Sequence, residues 1–309
     1  MELDLGAVRA FVAVADDRHF GEAAVRLGMS QQAVSKRVAK LEADLGTAVL
    51  HRTPGGTVLT AAGETFLPHA RAMLGLADQA VAAVRGRQHA LRVDVMATRV
   101  GPVDLIRAFH SSTGVDVEVV TSFGLRAART TLVDRQVDAA FARVIGELDD
   151  RIEHTPAYTD ALHLLVSRRH RLAGRRRVRA AELAGLVSWM PGNLPGTEWA
   201  DFYDELSAEF GVRIDVSGPN FGFDRLLDRL SGTTDLVSFA GEKTRVPWHP
   251  DIARIPVVDP APAYAYSLLW NRGNHHPGLA ALVGYVRDGF EPCGPEIWLP
   301  ASDRPTFCR

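Results

Sequence analysis

The sequence predicts a small α-helical part carrying a β-hairpin, followed by a larger α/β part. Three observations carry this. Within the first sixty residues, short helical patterns are punctuated by Gly28 and Gly46 and end at a Pro54-Gly55-Gly56 turn. Residues 61 to 84 then carry one apolar stripe at helical spacing. Beyond residue 91, short alternating strands take turns with helical segments, the pattern of parallel sheet with helices on both faces.

The chain has 309 residues, 46% hydrophobic and 23% charged, ordinary for a globular protein and long enough for about two domains at roughly 150 residues each. No stretch of 18 or more apolar residues is free of charge, so no membrane span is expected. Glu2, Asp4 and Arg9 break up the N-terminus, which does not read as a signal peptide. Two cysteines, Cys293 and Cys308, cannot by themselves make a disulfide framework or a four-ligand zinc site. The expected compartment is the cytoplasm, with no cofactor and no metal; His275-His276 reads as part of a loop.

Net charge is −2, yet residues 26 to 52 hold Arg26, Lys36, Arg37, Lys40 and Arg52 against Glu42 and Asp44, a local +3. Local basicity is the better guide to nucleic acid when one domain binds and another does not.

The elements follow in order. Val8, Phe11, Val12 and Ala15 give a helix over residues 4 to 17, with Asp4 as N-cap. Ala23, Ala24 and Leu27 mark a short second helix from about residue 22, closed by Gly28. Ser30 caps a third, from 31 to about 44, closed by Gly46. On that helix Val34, Val38 and Leu41 face inward, while Gln32, Ser35, Lys36, Ala39 and Lys40 face out, with Arg37 on the flank and Gln31 at the exposed start. Amides near the start and cations beyond suit a helix in the DNA major groove, where Gln reads adenine and Lys or Arg holds guanine or phosphate. Residues 49 to 60 form a hairpin, or wing, containing Arg52 and Thr53. Thr60 caps the long helix, whose stripe is Phe66, Leu67, Ala70, Met73, Leu74, Ala77, Val81 and Val84. With no partner nearby in sequence, that stripe is expected to pair with a second copy of the chain.

Several motifs here resemble the LysR-type transcriptional regulators: Phe11-Val12-Ala13-Val14-Ala15, Phe20, Ala23-Ala24 and Leu27; the run Ser30 to Val38 with Leu41-Glu42 and Leu45-Gly46; Leu50-His51-Arg52-Thr53; and Leu59-Thr60-Ala61-Ala62-Gly63-Glu64. The resemblance implies a winged helix-turn-helix over residues 1–60, a dimerising linker helix over 61–87, and a C-terminal effector domain over 91–290, with a tail over 291–309. It implies a homodimer or homotetramer that binds double-stranded DNA. Three departures stand out: Gln32 replaces the family's usual proline, Gly21 replaces a Ser or Thr cap, and the wing tip lacks basic residues.

Beyond residue 91 the resemblance is looser. It rests on Ala108-Phe109, Gly114 to Val119, Asp138 to Arg143, Leu162 to Val166, His170 to Ala173 and Glu182 to Gly185. It implies two α/β subdomains, similar to periplasmic binding proteins, with a cleft between them: 91–161 plus 268–290, and 162–267, crossing near Asp160-Ala161 and Tyr266-Ser267. Ligands in such folds sit beyond the carboxyl ends of parallel strands. That rule selects Thr98, Arg99, Ser122, Phe123, Arg143 and Trp189, with Phe221 on the opposite wall. Two arginines among aromatics suit an acidic or aromatic small molecule. Arg168, Arg169, Arg171, Arg175, Arg176, Arg177 and Arg179 read as a solvated loop. No Walker loop, His-Glu-x-x-His, Gly-x-Ser-x-Gly or dinucleotide fingerprint is present, so an enzyme is not expected.

Overall fold

A computed structural model describes residues 3–53, 56–84, 89–122 and 124–308. The chain divides into two units, Met1–His89 with Val133–Gln136, and Ala90–Leu132 with Val137–Arg309. Each is described by itself.

The first unit is built on local capping. In α1 (Leu5–Asp17), Asp4 accepts the Gly6 N–H. In α2 (Phe20–Leu27) the cap is His19, whose Nδ1 accepts the Gly21 N–H at 3.1 Å. The helix therefore starts two residues earlier than expected, and Gly21 lies inside it. Gly28 closes α2 with φ 64°, the left-handed conformation that glycine adopts without steric cost. Ser30 caps α3 (Gln31–Leu45) by accepting the Ala33 N–H. Strands β1 (Leu50–Thr53) and β2 (Gly56–Leu59) pair antiparallel, Leu50 opposite Leu59. Glu42 accepts the N–H groups of Val49 and Leu50, fixing the hairpin to α3.

Helix α4 (Ala61–Val84) starts at Thr60, which accepts the Gly63 N–H. A Cβ at Gly63 would overlap the Val49 carbonyl oxygen, so the approach of α4 to the hairpin requires glycine. The apolar stripe of α4 is not wholly free for a partner. Ala70 and Leu74 are buried in a cluster with Val8, Phe11 and Leu41, against which Phe66, Leu67 and Met73 pack. Leu76 and Val81 are exposed.

In the second unit, β3 (Leu91–Val95), α5 (Gly101–Thr113), β4 (Val117–Thr121), α6 (Leu125–Val133) and β5 (Ala139–Ala142) make a parallel βαβ layer, β3 lying between β4 and β5. β6 (Ile152–Ser167) is a single strand where a strand from residue 162 was expected. It pairs with β12 as far as Ala161, then with β10 and β11 from Leu162. Next come β7 (Val178–Arg179), a 3-10 turn (Ala180–Leu183), β8 (Val187–Trp189), α7 (Glu198–Phe210), β9 (Arg213–Asp215), α8 (Phe223–Ser231) and β10 (Leu236–Gly241). β11 (Ile252–Val258) and β12 (Ala261–Asn271) complete the sheet. β12 takes up β5 at Ser267, beside a register shift between Tyr266 and Ser267. β8, β9 and β10 run parallel, but β6 runs antiparallel to β10, β11 and β12, and β12 antiparallel to β5. The sheet is therefore mixed rather than parallel, because each crossover strand carries the chain back between subdomains.

His275 and His276 lie in a loop, as expected, and His276 also caps the next helix: its Nδ1 accepts the Gly278 N–H at the start of α9 (Pro277–Asp288). The tail is ordered on the sheet. β13 (Ile297–Trp298) pairs with β12, α10 (Arg304–Phe307) follows, and a disulfide joins Cys293 to Cys308.

Candidate functional site

The first unit presents α3. Val34 and Leu41 are fully buried and Val38 nearly so, which fixes the rotation of the helix. The outward row is then Gln31, Gln32, Lys36, Arg37, Ala39 and Lys40, all exposed, with Ser35 half-buried. Lys40 Nζ lies 3.4 Å from Asp4 Oδ2. The Gly6 N–H, and then Lys40, hold the Asp4 carboxyl below its usual range. The helix N-terminus adds partial positive charge where Gln31 sits. Amide, small and cationic groups thus share one solvent face. Arg52 belongs to β1, but its side chain, like that of Thr53, lies outside the described residues.

In the second unit the residues selected by the strand-end rule part company. Thr98 and Arg99 precede the N-terminus of α5 and are exposed; Arg99 Nη2 lies 3.8 Å from Asp224 at the start of α8. Ser122 donates to Asp94 Oδ2 at 2.5 Å. Burial raises the Asp94 carboxyl, partly offset by that bond. Phe123 lies outside the described residues. Trp189 and Phe221 line a groove of about 440 Å³ with Asp215, Asn220, Arg225 and Arg229, and this lining includes none of Thr98, Arg99, Ser122 or Arg143. Trp189 Nε1 donates to the Ser217 carbonyl, and Phe221 is 75% exposed.

Arg143, selected as a ligand contact, is engaged within the chain itself. It is fully buried, and its five donors are all engaged. Nε donates to Asp303, Nη1 to Asp201 and the Glu198 carbonyl, and Nη2 to Glu205 and Ser302. Burial disfavours the cation, but Asp303 and Asp201 outweigh it, so Arg143 keeps its charge. The Glu198 carboxylate in turn accepts the Leu125 N–H at 2.7 Å, so a carboxylate of the chain itself occupies the N-terminus of α6.

The sequence reading missed the groups on the crossover strands. Tyr158 stacks on Tyr266, Tyr266 meets Tyr264, and Tyr264 stacks on Trp199. Tyr158 Oη, Tyr203 Oη and Trp199 Nε1 are buried without a hydrogen-bond partner. Lys243 Nζ sits 4.2 Å over the Tyr158 ring, and its backbone N–H donates to Asp160. Burial pushes the Asp160 carboxyl up to about 6. Arg245, two residues on, pairs with Asp104 of α5, and its N–H donates to the Arg99 carbonyl. The tyrosine spacing along residues 264 to 266 was the available signal: alternate aromatics in one strand share a face.

The arginine-rich loop is tied down locally. Arg168 and Arg169 donate to the Pro250 and Ser231 carbonyls, and Arg175 and Arg179 pair with Glu182. Among the described residues no helix is long and apolar enough to cross a membrane.

Two family descriptions match. "Bacterial regulatory helix-turn-helix protein, lysR family" covers residues 5–64, and "LysR substrate binding domain" covers residues 85–291. A probable hydrogen peroxide-inducible genes activator of Mycobacterium avium is 34% identical over 59% of this chain and 60% of its own length. The uncharacterized regulator YnfL of Escherichia coli is 31% identical over 60% of the chain and 64% of its own length. Both matches thus span less than two thirds of those relatives. The regulator ShiR of Corynebacterium glutamicum is 26% identical over 94% of this chain and all of its own length. Among solved structures, the LysR family regulator CbnR superposes with a TM-score of 0.72 at 26% identity, over 93% of this chain and 99% of that one. Full-length CbnR complexed with its target DNA gives 0.69 at 25% identity, over the same shares. With both parts of the fold matched across more than half its length, this chain belongs to the LysR family of bacterial helix-turn-helix regulators.

Proposed function

We propose that this chain is a sequence-specific, homo-oligomeric DNA-binding transcriptional regulator, modulated by a small molecule bound between its two α/β subdomains. The observation that carries the reading is the outward face of α3, where Gln31, Gln32, Lys36, Arg37 and Lys40 are all exposed while Val34, Val38 and Leu41 anchor the opposite face. Polar donors there read base edges and cations hold phosphates. The CbnR neighbour complexed with its target DNA supports it. In this reading Lys36, Arg37, Lys40 and Arg52 hold the backbone, Gln31, Gln32 and Ser35 read bases, and Thr53 steadies the wing. The exposed Leu76 and Val81 of α4 meet a second copy.

For the effector, the reading keeps Thr98, Arg99, Ser122 and Phe123 as contacts and drops Arg143. It adds the unpartnered donors Tyr158 Oη, Tyr203 Oη and Trp199 Nε1. An aromatic molecule carrying hydrogen-bond acceptors suits that wall. An acidic group finds the α6 N-terminus and Arg143 already taken by the chain's own carboxylates. Trp189 and Phe221 frame a second groove for the same ligand class.

The test is a band shift on the DNA upstream of the chain's own gene, with random DNA as competitor, with and without cell extract. A shift that survives random competitor and changes with extract supports the reading. No shift at all points to an enzyme or another binding role, and a shift lost to random DNA points to an unspecific DNA-organising protein.

A further inference from the structure

The tail has a chemical feature that DNA binding does not use. The chain has two cysteines, and they are bonded to each other, with Cα atoms 4.7 Å apart and a separation of 15 positions in sequence. Everything that holds the tail lies inside this loop. Leu299 and Phe307 are buried with Ala263 and Ala265 of β12. The Ala301 N–H donates to Glu205, and Ser302 and Asp303 both accept from Arg143. Arg143 itself follows β5 of the first subdomain and donates to Asp201 and Glu205 of α7 in the second. The disulfide therefore closes the loop that supplies two of the acceptors on the cation joining the subdomains.

A cavity of about 330 Å³ is lined by Cys293, Cys308, Pro260, Ile297 and Arg304. Cys308 is the more exposed of the pair. Arg304 shares that lining, and the thiolate is the reactive form of a cysteine.

We propose that Cys293 and Cys308 form a reversible redox site, closed by a hydroperoxide and opened by a small thiol, whose state sets the hold of Asp303 on Arg143. In closure, the Cys308 thiolate attacks the terminal oxygen of ROOH; the O–O bond breaks, ROH leaves with a proton, and Cys308 becomes a sulfenic acid. The Cys293 thiolate then attacks that sulfur, and hydroxide leaves as water. Two electrons pass from the sulfurs to the peroxide. In opening, two RSH molecules return them: the first forms a mixed disulfide, the second releases RSSR, and both cysteines end protonated. Opening frees the loop, so holding Asp303 and Ser302 on Arg143 costs more chain entropy. The joint between β5 and α7 loosens. Any consequence for DNA rests on the function proposed above; the chemistry and the loosening do not.

The test uses the full-length protein, oxidised with hydrogen peroxide or reduced with dithiothreitol, then alkylated without denaturant and weighed. The expected result is two alkylated cysteines after reduction and none after re-oxidation. Hydrogen exchange in the reduced protein is expected to be about tenfold faster at Ala301 and Thr306 and along the first turns of α7, while α1 to α3 are unchanged. The Cys293→Ser/Cys308→Ser double variant should exchange like the reduced protein and ignore peroxide. The proposal is overturned if the cysteines react only in denaturant. It is equally overturned if reduction leaves exchange in α7 unchanged, or if the double variant still responds to peroxide. None of these readouts uses DNA, so failure of the regulatory reading would leave them standing.

Discussion

Arg143 Nε donates to Asp303 Oδ2 at 2.6 Å, joining the end of β5 to a tail residue 160 positions later. Both are buried, and other Arg143 donors reach α7 and Ser302 of the tail. One cation thus ties together both subdomains and the tail.

Replacing it should therefore cost stability before it costs recognition. Arg143→Met leaves Asp303 buried without its counter-charge, a change worth about 3–5 kcal/mol in such settings. The effector domain's Tm should fall by roughly 6–20 °C at about 2–4 °C per kcal/mol. Calorimetry checks this. An unchanged Tm with a lost ligand response would return Arg143 to the ligand.

Asp160 gives a pH signature. It is 2% exposed, and burial raises its carboxyl from its ordinary value of 3.8 to about 6. Between those values the folded chain holds the proton longer than the unfolded one, so this group's contribution falls as pH rises, and the loss is complete above the folded value. Asp160→Asn keeps an oxygen for the Lys243 N–H and removes the ionisation. It should stabilise the protein at pH 7.5 by up to about 3 kcal/mol, at ~1.4 kcal/mol per pKa unit, and by much less at pH 4.5. Urea unfolding at the two pH values measures the difference. An equal gain at both would mean that ionisation of Asp160 plays no part.

The buried and the exposed apolar residues of α4 should behave differently. Leu74→Glu puts a charge among Phe11, Val8 and Leu41 and should lower the Tm of the first unit. Leu76→Glu and Val81→Glu should leave Tm near wild type and shift sedimentation toward smaller species. Unchanged sedimentation in both would place the subunit contact elsewhere.

The legible parts of this chain are those governed by local chemistry. Asp4, Ser30, Thr60 and Gly28 each cap or close a helix as their residue types require, and the inward row of α3 follows from its period. His19 was missed because a ring nitrogen can do a cap's work, and the expectation looked only to position 21. In the effector domain, the partners of Arg143 and of the α6 N-terminus come from far along the chain. The strand-end rule finds where a ligand could sit, but not what the rest of the chain brings there. Glu198 reaches Leu125 from 73 positions away, and Asp303 reaches Arg143 from 160. The order of the tail comes from pairing with β12, which no local pattern announces.

Gln31 is the test of base reading. Gln31→Ala should weaken binding to the specific site by about 1–3 kcal/mol and leave random DNA nearly unaffected. Equal losses on both would make Gln31 a backbone contact.

The salt dependence of binding to the upstream DNA tests the central claim most directly. If Lys36, Arg37, Lys40 and Arg52 engage phosphates in both subunits of a dimer, ~8 neutralised phosphates give a log–log slope near −7, and Lys36→Ala reduces its size by nearly 2, one contact in each subunit. A slope near −2, unchanged in Lys36→Ala, would contradict the assignment of this face of α3 to DNA.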